Sequence, residues 1–168
     1  MLFVLLENID FVFKSKLPEI DFIEQDLVFK LNSFLPKDIA IHDIFKVKVD
    51  AHARFNALSR TYLYRSTLQK NVFNFDNAYY VKQDLDVEKM KEASKILFQY
   101  KDFQCFSKVN TDVKTYHCDI MKAEWFFENN ELHFLIKADR FLRNMVRAIV
   151  GTMLQIGLGK LQIEDLHT

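Results

Sequence analysis

The stretch IMKAEWFFENNELHFLIK, residues 120–137, decides the fold because it encodes a β-hairpin. Apolar and polar side chains alternate on both sides of Asn129 and Asn130, as expected of two strands that each bury one face. Asparagine tolerates the left-handed backbone conformation that a two-residue hairpin turn requires. We predict strands over residues 120–127 and 132–137. The apolar side chains that share one face are Met121, Ala123, Trp125 and Phe127 on the first strand, and Leu132, Phe134 and Ile136 on the second.

A helix is predicted on each side of this hairpin. Before it, residues 87–100 carry apolar side chains at helical spacing, and Asp86 precedes them as an N-cap. After it, residues 140–156 form the last helix, which ends near Gly157 and Gly159. Earlier in the chain, residues 61–66 are predicted to form a strand and residues 78–81 a short one.

From residue 60 onward the predicted order is strand, helix, strand, strand, helix. This is a ferredoxin-like split βαβ pattern that lacks its last strand. Residues 1–13, 24–35 and 45–49 read as strand, helix and strand, which fits the end of a second such unit. We therefore predict an α+β fold with helices packed against a largely antiparallel sheet. Residues 1–56 would be the remnant of an N-terminal ferredoxin-like half, and residues 57–168 the C-terminal half.

Composition excludes several classes of protein. The sequence has 23 Lys and Arg against 23 Asp and Glu, so the net charge gives no global support for nucleic-acid binding. Its two cysteines are too few for a disulfide framework, and its histidines show no metal-ligand spacing. No apolar run approaches the roughly 20 residues of a membrane span. We expect a cytoplasmic protein without a metal.

The segment RTYLY, residues 60–64, is the first candidate site. On a strand, Arg60, Tyr62 and Tyr64 share one face. A cation beside two aromatic rings suits an RNA base, which can stack on a ring while its phosphate meets the guanidinium. The alternative is structural, with the tyrosines packed in the core at a sheet edge and the arginine reaching solvent.

Three arginines form the second candidate. If residues 140–156 are helical, Arg140, Arg143 and Arg147 lie within about 60° of one another at about 100° per residue. They could bind phosphates, or one could hold a carboxylate through a bidentate contact. The alternative is a solvated basic face. The segment around His52 and Arg54 is a weaker candidate, because a lone histidine is more often structural.

Five segments in order resemble the TruA family of tRNA pseudouridine synthases. They are LNSFLPKDI at residues 31–39, HARF at 52–55, RTYLY at 60–64, DFQCFS at 102–107 and MVRAIVG at 145–151. The resemblance implies a pseudouridine synthase fold and isomerisation of uridine to pseudouridine in the anticodon arm of tRNA. It also implies a homodimer and no cofactor. A target uridine must leave the base stack to be reached, so base flipping is implied too.

The same resemblance assigns roles to residues. Tyr62 would stack on the flipped uracil and could take the C5 proton. Arg147 would pair with the catalytic aspartate and keep it ionised, because a nearby cation lowers a carboxylate pKa. Phosphate contacts would come from Arg54, Arg60, Arg140 and Arg143. We expect Arg147 to be largely buried at the floor of a cleft near Tyr62, unlike Arg143.

The sequence departs from the family in two places. The family's catalytic aspartate lies in a G-R-T-D-x-G-V-H-A motif, which does not occur among these residues. The family also continues beyond the helix near Gly151 with another helix and a closing strand. We therefore expect a chain truncated at both ends, without a catalytic residue of its own and inactive by itself. The alternatives are a non-catalytic RNA-binding or assembly module of the same fold and an unrelated ferredoxin-like domain.

Overall fold

The structure is a computed structural model that describes residues 24–37, 39–44, 55–70, 77–108 and 113–167. These residues fall into two compact units, the smaller ending at Asn56 and the larger beginning at Ala57. The smaller unit contains helix α1, Glu24–Phe34. The Asn32 amide donates to the Ile41 carbonyl and accepts from the Ile41 N–H, both at 2.7 Å, and so folds the chain back after the helix. The strands predicted over residues 1–13 and 45–49 lie outside the described residues.

Among the described residues, the larger unit contains a four-stranded sheet and two α-helices. Its elements in chain order are β1 Arg60–Thr67, β2 Tyr79–Tyr80, α2 Val87–Ile96, β3 Ile120–Glu128, β4 Glu131–Ala138 and α3 Met145–Gly157. Strand β4 pairs antiparallel with both β1 and β3, so β1 and β3 run parallel on either side of it. This confirms the split βαβ pattern and the α+β fold class. Strand β2 adds two residues at the end of β1, where Ser66 pairs with Tyr79 in parallel.

The hairpin turn forms as predicted, and the alternation along β3 does not hold throughout. Asn129 and Asn130 have φ of 49° and 62°, the left-handed values that a two-residue turn requires. Trp125 is buried, whereas Met121 is 51% exposed. The prediction for Met121 was wrong because the register shifts between Ile120 and Lys122, which leaves Met121 out of the pairing. Phe127 keeps its place opposite Leu132 but is 57% exposed beside the turn.

The core lies between one face of the sheet and helices α2 and α3. The fully buried apolar side chains include Leu132, Phe134 and Ile136 of β4, Met90 of α2, and Met145, Ile149 and Met153 of α3. Each side chain of this size stabilises the fold by roughly 1.5–3 kcal/mol when it is removed from water. The rings of Trp125 and Phe134 stack at 4.6 Å, and the indole N–H donates to Ser94 Oγ at 3.1 Å. Burial of Trp125 therefore leaves no unsatisfied indole donor.

The two helices start differently. Helix α2 begins as predicted, because the Asp86 carboxylate accepts the Lys89 N–H at 3.0 Å. Helix α3 begins at Met145 and not at residue 140 as predicted. Asn144 precedes it with φ of 69°, a left-handed conformation that a continuous helix through residues 140–156 excludes. Arg140 and Arg143 therefore lie in a loop, and the predicted stripe of three arginines on one helix does not form.

Two glycines of α3 give a matched prediction for stability. A Cβ added at Gly151 meets nothing within 4 Å, whereas one added at Gly157 lies 2.5 Å from Met90 Sδ, in the core. We expect Gly151→Ala to stabilise the chain by about 0.5–1 kcal/mol, because alanine restricts the unfolded chain more than glycine. We expect Gly157→Ala to cost about 1–3 kcal/mol through overpacking. Chemical denaturation of the two variants measures both effects, and equal midpoints would contradict the prediction.

Candidate active site

Strand β1 carries the two tyrosines of the RTYLY segment on the face covered by the helices. Tyr62 lies opposite Ile136 and Tyr64 opposite Phe134, two residues that are fully buried. Both tyrosine rings are half-buried and pack against the core. The structural alternative, in which both tyrosines pack against the core, therefore holds for the buried part of each ring. The stacking of Tyr62 on an RNA base that the resemblance implies would use the part of the Tyr62 ring that stays exposed.

An open cavity of about 760 Å³ lies between the end of β1, strand β2 and helix α3. Its polar and aromatic lining comprises Tyr64, Tyr79, Tyr80, Lys82, Gln83, Arg147 and Gln155, and its apolar lining comprises Val81, Val150, Leu154 and Leu158. Gly151 also lines the cavity one helical turn after Arg147, and it has open space where a side chain would lie. The cavity thus combines two cationic side chains, Lys82 and Arg147, with three tyrosine rings.

Arg147 lines this cavity, but the prediction that it would be buried was wrong. Its side chain is exposed, in the same class as Arg143. Val146, Ile149 and Val150 are buried, yet these neighbours in sequence point toward the core. Arg147 is about 100° around the helix from Val146. Its side chain therefore points away from the buried face of α3 and toward the cavity. Tyr64 shares the cavity with Arg147, whereas Tyr62 does not line it.

Electrostatics in the cavity keep Tyr64 protonated. Burial raises the pKa of the Tyr64 hydroxyl above its ordinary value of 10.0, and the nearby Tyr79 acts in the same direction. The Arg147 guanidinium opposes both effects, because a cation favours the phenolate. The net shift is upward, so Tyr64 is a neutral hydrogen-bond donor and acceptor at pH 7.

The loop between β4 and α3 is held by its first residue. The Asp139 carboxylate accepts the backbone N–H groups of Asp119 and Arg140, both at 2.7 Å. The Asp139 carbonyl accepts Arg60 Nη1 at 3.3 Å. Farther along, the Arg143 carbonyl accepts the Lys108 N–H at 3.0 Å, which joins this loop to the end of the DFQCFS segment. These contacts bring two of the sequence-predicted segments together around one loop.

The sequence-predicted phosphate contacts differ in their surroundings. Arg60 and Arg140 are half-buried, and Arg143 is exposed in the loop. Arg54 and His52 lie outside the described residues. Sequence reasoning missed the cavity lining from Tyr79 and Tyr80, and it missed the contact of Phe141 with Tyr62. The common face of Tyr62 and Tyr64 was visible in the sequence, but the partners from β2 and α3 were not.

No helix within the described ranges is long and apolar enough to cross a membrane. Among the same residues, no three side chains of the His, Cys, Asp or Glu types are grouped where they could hold a metal ion.

Comparison with known proteins places the chain in a family. The family model described as tRNA pseudouridine synthase matches residues 93–168. A protein of Parabacteroides distasonis is 55% identical over 145 residues, and one of Bacteroides fragilis is 54% identical over 139 residues. One from a Hydrogenobaculum species is 38% identical over 164 residues. The chain therefore belongs to the tRNA pseudouridine synthase family, as the five sequence segments predicted.

Each of these three relatives bears the name tRNA pseudouridine synthase A. The matches cover 84%, 82% and 95% of this chain in the same order. They cover 58%, 55% and 64% of the relatives themselves. The chain thus spans little more than half the length of the first two relatives.

Proposed function

We propose that this chain carries the part of a tRNA pseudouridine synthase that holds the target uridine, in an enzyme that isomerises uridine to pseudouridine in the anticodon arm of tRNA. The observation that carries the proposal is Arg147. It belongs to the MVRAIVG segment and lines an open cavity with three tyrosines. Arg147 is exposed where burial was expected, so the proposal rests on its place in this cavity, open to a carboxylate that approaches from another segment.

The reaction is an isomerisation within one nucleotide. The bond between the ribose C1′ and uracil N1 breaks, a bond between C1′ and C5 forms, the C5 proton leaves, and N1 gains a proton. Product and substrate have the same atoms, so the reaction needs no redox cofactor. The aspartate that starts the reaction would come from outside these residues, because the sequence has no G-R-T-D motif.

Residues of this chain would then take three roles. Arg147 pairs with the incoming aspartate and lowers its pKa, which keeps the carboxylate ionised. Tyr62 stacks on the flipped uracil and is the candidate acceptor of the C5 proton. Arg54, Arg60, Arg140 and Arg143 contact phosphates of the tRNA. We also propose that the protein is a cytoplasmic homodimer whose two copies shape a cleft for tRNA.

A second candidate function is a non-catalytic RNA-binding or assembly module of the same fold. It is favoured by the lining of the cavity, because tyrosine rings beside Lys82 and Arg147 suit a base and its phosphate whether or not the base is rearranged. In this case the cavity would bind an RNA nucleotide without rearranging it. The two functions differ in whether joining the chain to the motif produces turnover.

Activity of the chain with and without that motif is the direct test. Unmodified tRNA transcripts are incubated with the 168-residue chain and with a version extended at its N-terminus by the family's G-R-T-D segment. We expect no pseudouridine from the chain alone, because none of its carboxylates matches the aspartate. We expect turnover from the extended version.

An extended version whose motif aspartate is changed to alanine serves as the matched control. It has the same length and fold but lacks the carboxylate, so it should bind tRNA and form no product. Turnover by the unextended chain would refute its predicted inactivity. An extended version that binds tRNA and never turns over would favour the non-catalytic module.

A further inference from the structure

The ring of Phe141 is the nearest described aromatic partner of Tyr62 in this site. The two ring centroids lie 5.0 Å apart, and the ring planes meet at 80°. This edge-to-face arrangement is a favoured geometry for aromatic pairs, because the positive edge of one ring meets the negative face of the other. The contact joins a residue of β1 to a residue of the loop that precedes α3.

Phe141 is held on both sides along the chain. Two residues before it, the Asp139 carboxylate accepts two backbone N–H groups at 2.7 Å. Directly after it, Leu142 is 5% exposed, and its carbonyl accepts the Met145 N–H at 3.1 Å. Phe141 itself is half-buried and packs against the core. The loop backbone therefore places the Phe141 ring against the Tyr62 ring.

The orientation of the Tyr62 ring depends on this contact because the ring is itself only half-buried. The backbone of β1 places its Cβ, and the fully buried Ile136 lies opposite it on β4. These contacts fix where the Tyr62 side chain leaves the strand. The contact with Phe141 restricts the orientation of the Tyr62 ring plane. A ring that must stack on a flipped base requires a defined face.

We propose that Phe141 is a positioning residue that orients the Tyr62 ring toward the target uracil, an inference that rests on the proposed function. Phe141 does not touch the reacting atoms. It acts through Tyr62, so its loss should slow the chemical step more than it weakens tRNA binding. Small misplacements of groups near the reacting atoms cost on the order of 100-fold in rate.

The test uses Phe141→Leu in the extended version of the chain, with single-turnover rates measured at saturating tRNA. We expect the rate to fall roughly 10- to 100-fold while the dissociation constant for tRNA stays within about twofold. Phe141→Tyr keeps an aromatic edge and should restore most of the rate. Phe127→Leu is the matched control, because Phe127 is 57% exposed on β3, and it should leave the rate unchanged.

A second measurement needs no turnover and is made on the 168-residue chain. The NMR signals of a labelled Tyr62 ring should shift in Phe141→Leu and return toward the original positions in Phe141→Tyr, with Phe127→Leu again unchanged. Ring signals that do not respond to Phe141→Leu would overturn the proposal, as would an unchanged single-turnover rate. Shifted ring signals in a protein that never forms pseudouridine would uphold the contact and refute only the proposed function.

Discussion

Replacing Arg147 with methionine is expected to reduce pseudouridine formation by the extended version at least about 100-fold while leaving the fold intact. A preorganised cation or donor at developing charge typically contributes a factor of 10² to 10³ in rate. Methionine keeps the length of the side chain but cannot keep a neighbouring aspartate ionised. Because Arg147 is exposed and lies outside the buried face of α3, its side chain contributes little to the packing that stabilises the fold.

Two controls separate this effect from a general loss of positive charge. Lys95→Met removes an exposed cation from α2 and should leave the rate unchanged. Arg143→Met removes an exposed cation from the loop before α3 and should weaken tRNA binding at every salt concentration. The slope of the logarithm of the tRNA binding constant against the logarithm of salt concentration should fall by about one counterion in this variant, as expected for a lost phosphate contact. Single-turnover rates and filter-binding titrations measure these outcomes, and an unchanged rate in Arg147→Met would remove the basis for the proposed site.

Replacing Glu131 with glutamine is expected to destabilise the larger unit by roughly 3 kcal/mol, near the lower end for a broken buried ion pair. The Glu131 carboxylate accepts two bonds from Arg65, at 2.7 Å from Nε and 2.8 Å from Nη2. His133 Nε2 lies 3.0 Å from the same carboxylate. The Glu131 side chain is 5% exposed and that of Arg65 is 26% exposed, so water compensates only part of the loss. The matched control is Glu124→Gln, whose partner Lys122 lies 3.0 Å away in an exposed pair. That control should cost less than about 1 kcal/mol.

The same carboxylate gives a pH dependence with a definite sign. The hydrogen bond from Arg65 lowers the pKa of Glu131 below its ordinary value of 4.5, and the charge of Arg65 acts in the same direction. A group with a lowered pKa in the folded state stabilises the protein above its unfolded-state pKa, and this contribution is lost as the pH falls through the folded-state pKa. Urea denaturation between about pH 3 and pH 7 should therefore show a loss of stability on the acid side. Glu131→Gln should show less of this loss, and parallel profiles for the two proteins would contradict the assignment.

Local features of the sequence account for most of what could be predicted. Asn129 and Asn130 favour a left-handed turn by their own side chains, so the hairpin follows from two adjacent residues. Asp86 caps α2 through a bond only three residues along the chain. The strand order of the split βαβ unit then follows from these elements, because short connections allow few arrangements.

Features that depend on distant partners were predicted less well. The start of α3 is set by Asn144 and by the bond of Asp139 to the Asp119 N–H, 20 residues earlier in the chain. A helical pattern of side chains cannot reveal a bond of that kind, so the predicted helix began too early. Met121 was misplaced for a related reason, because a β-bulge changes which residues face the core without changing the composition of the strand.

The sequence by itself determined the family, the fold class and the local segments, because ordered motifs, strand alternation and turn residues are all short-range information. Only the tertiary structure decided the surroundings of the candidate residues. Arg147 is flanked in sequence by buried apolar residues, yet it faces an open cavity beside Tyr64, which lies on a strand far away in the chain. Phe141 meets the Tyr62 ring because the loop before α3 and strand β1 converge on one side of the sheet. Exposure and contact are properties of the packed chain, since a helix turns about 100° per residue and separates neighbours in sequence onto different faces.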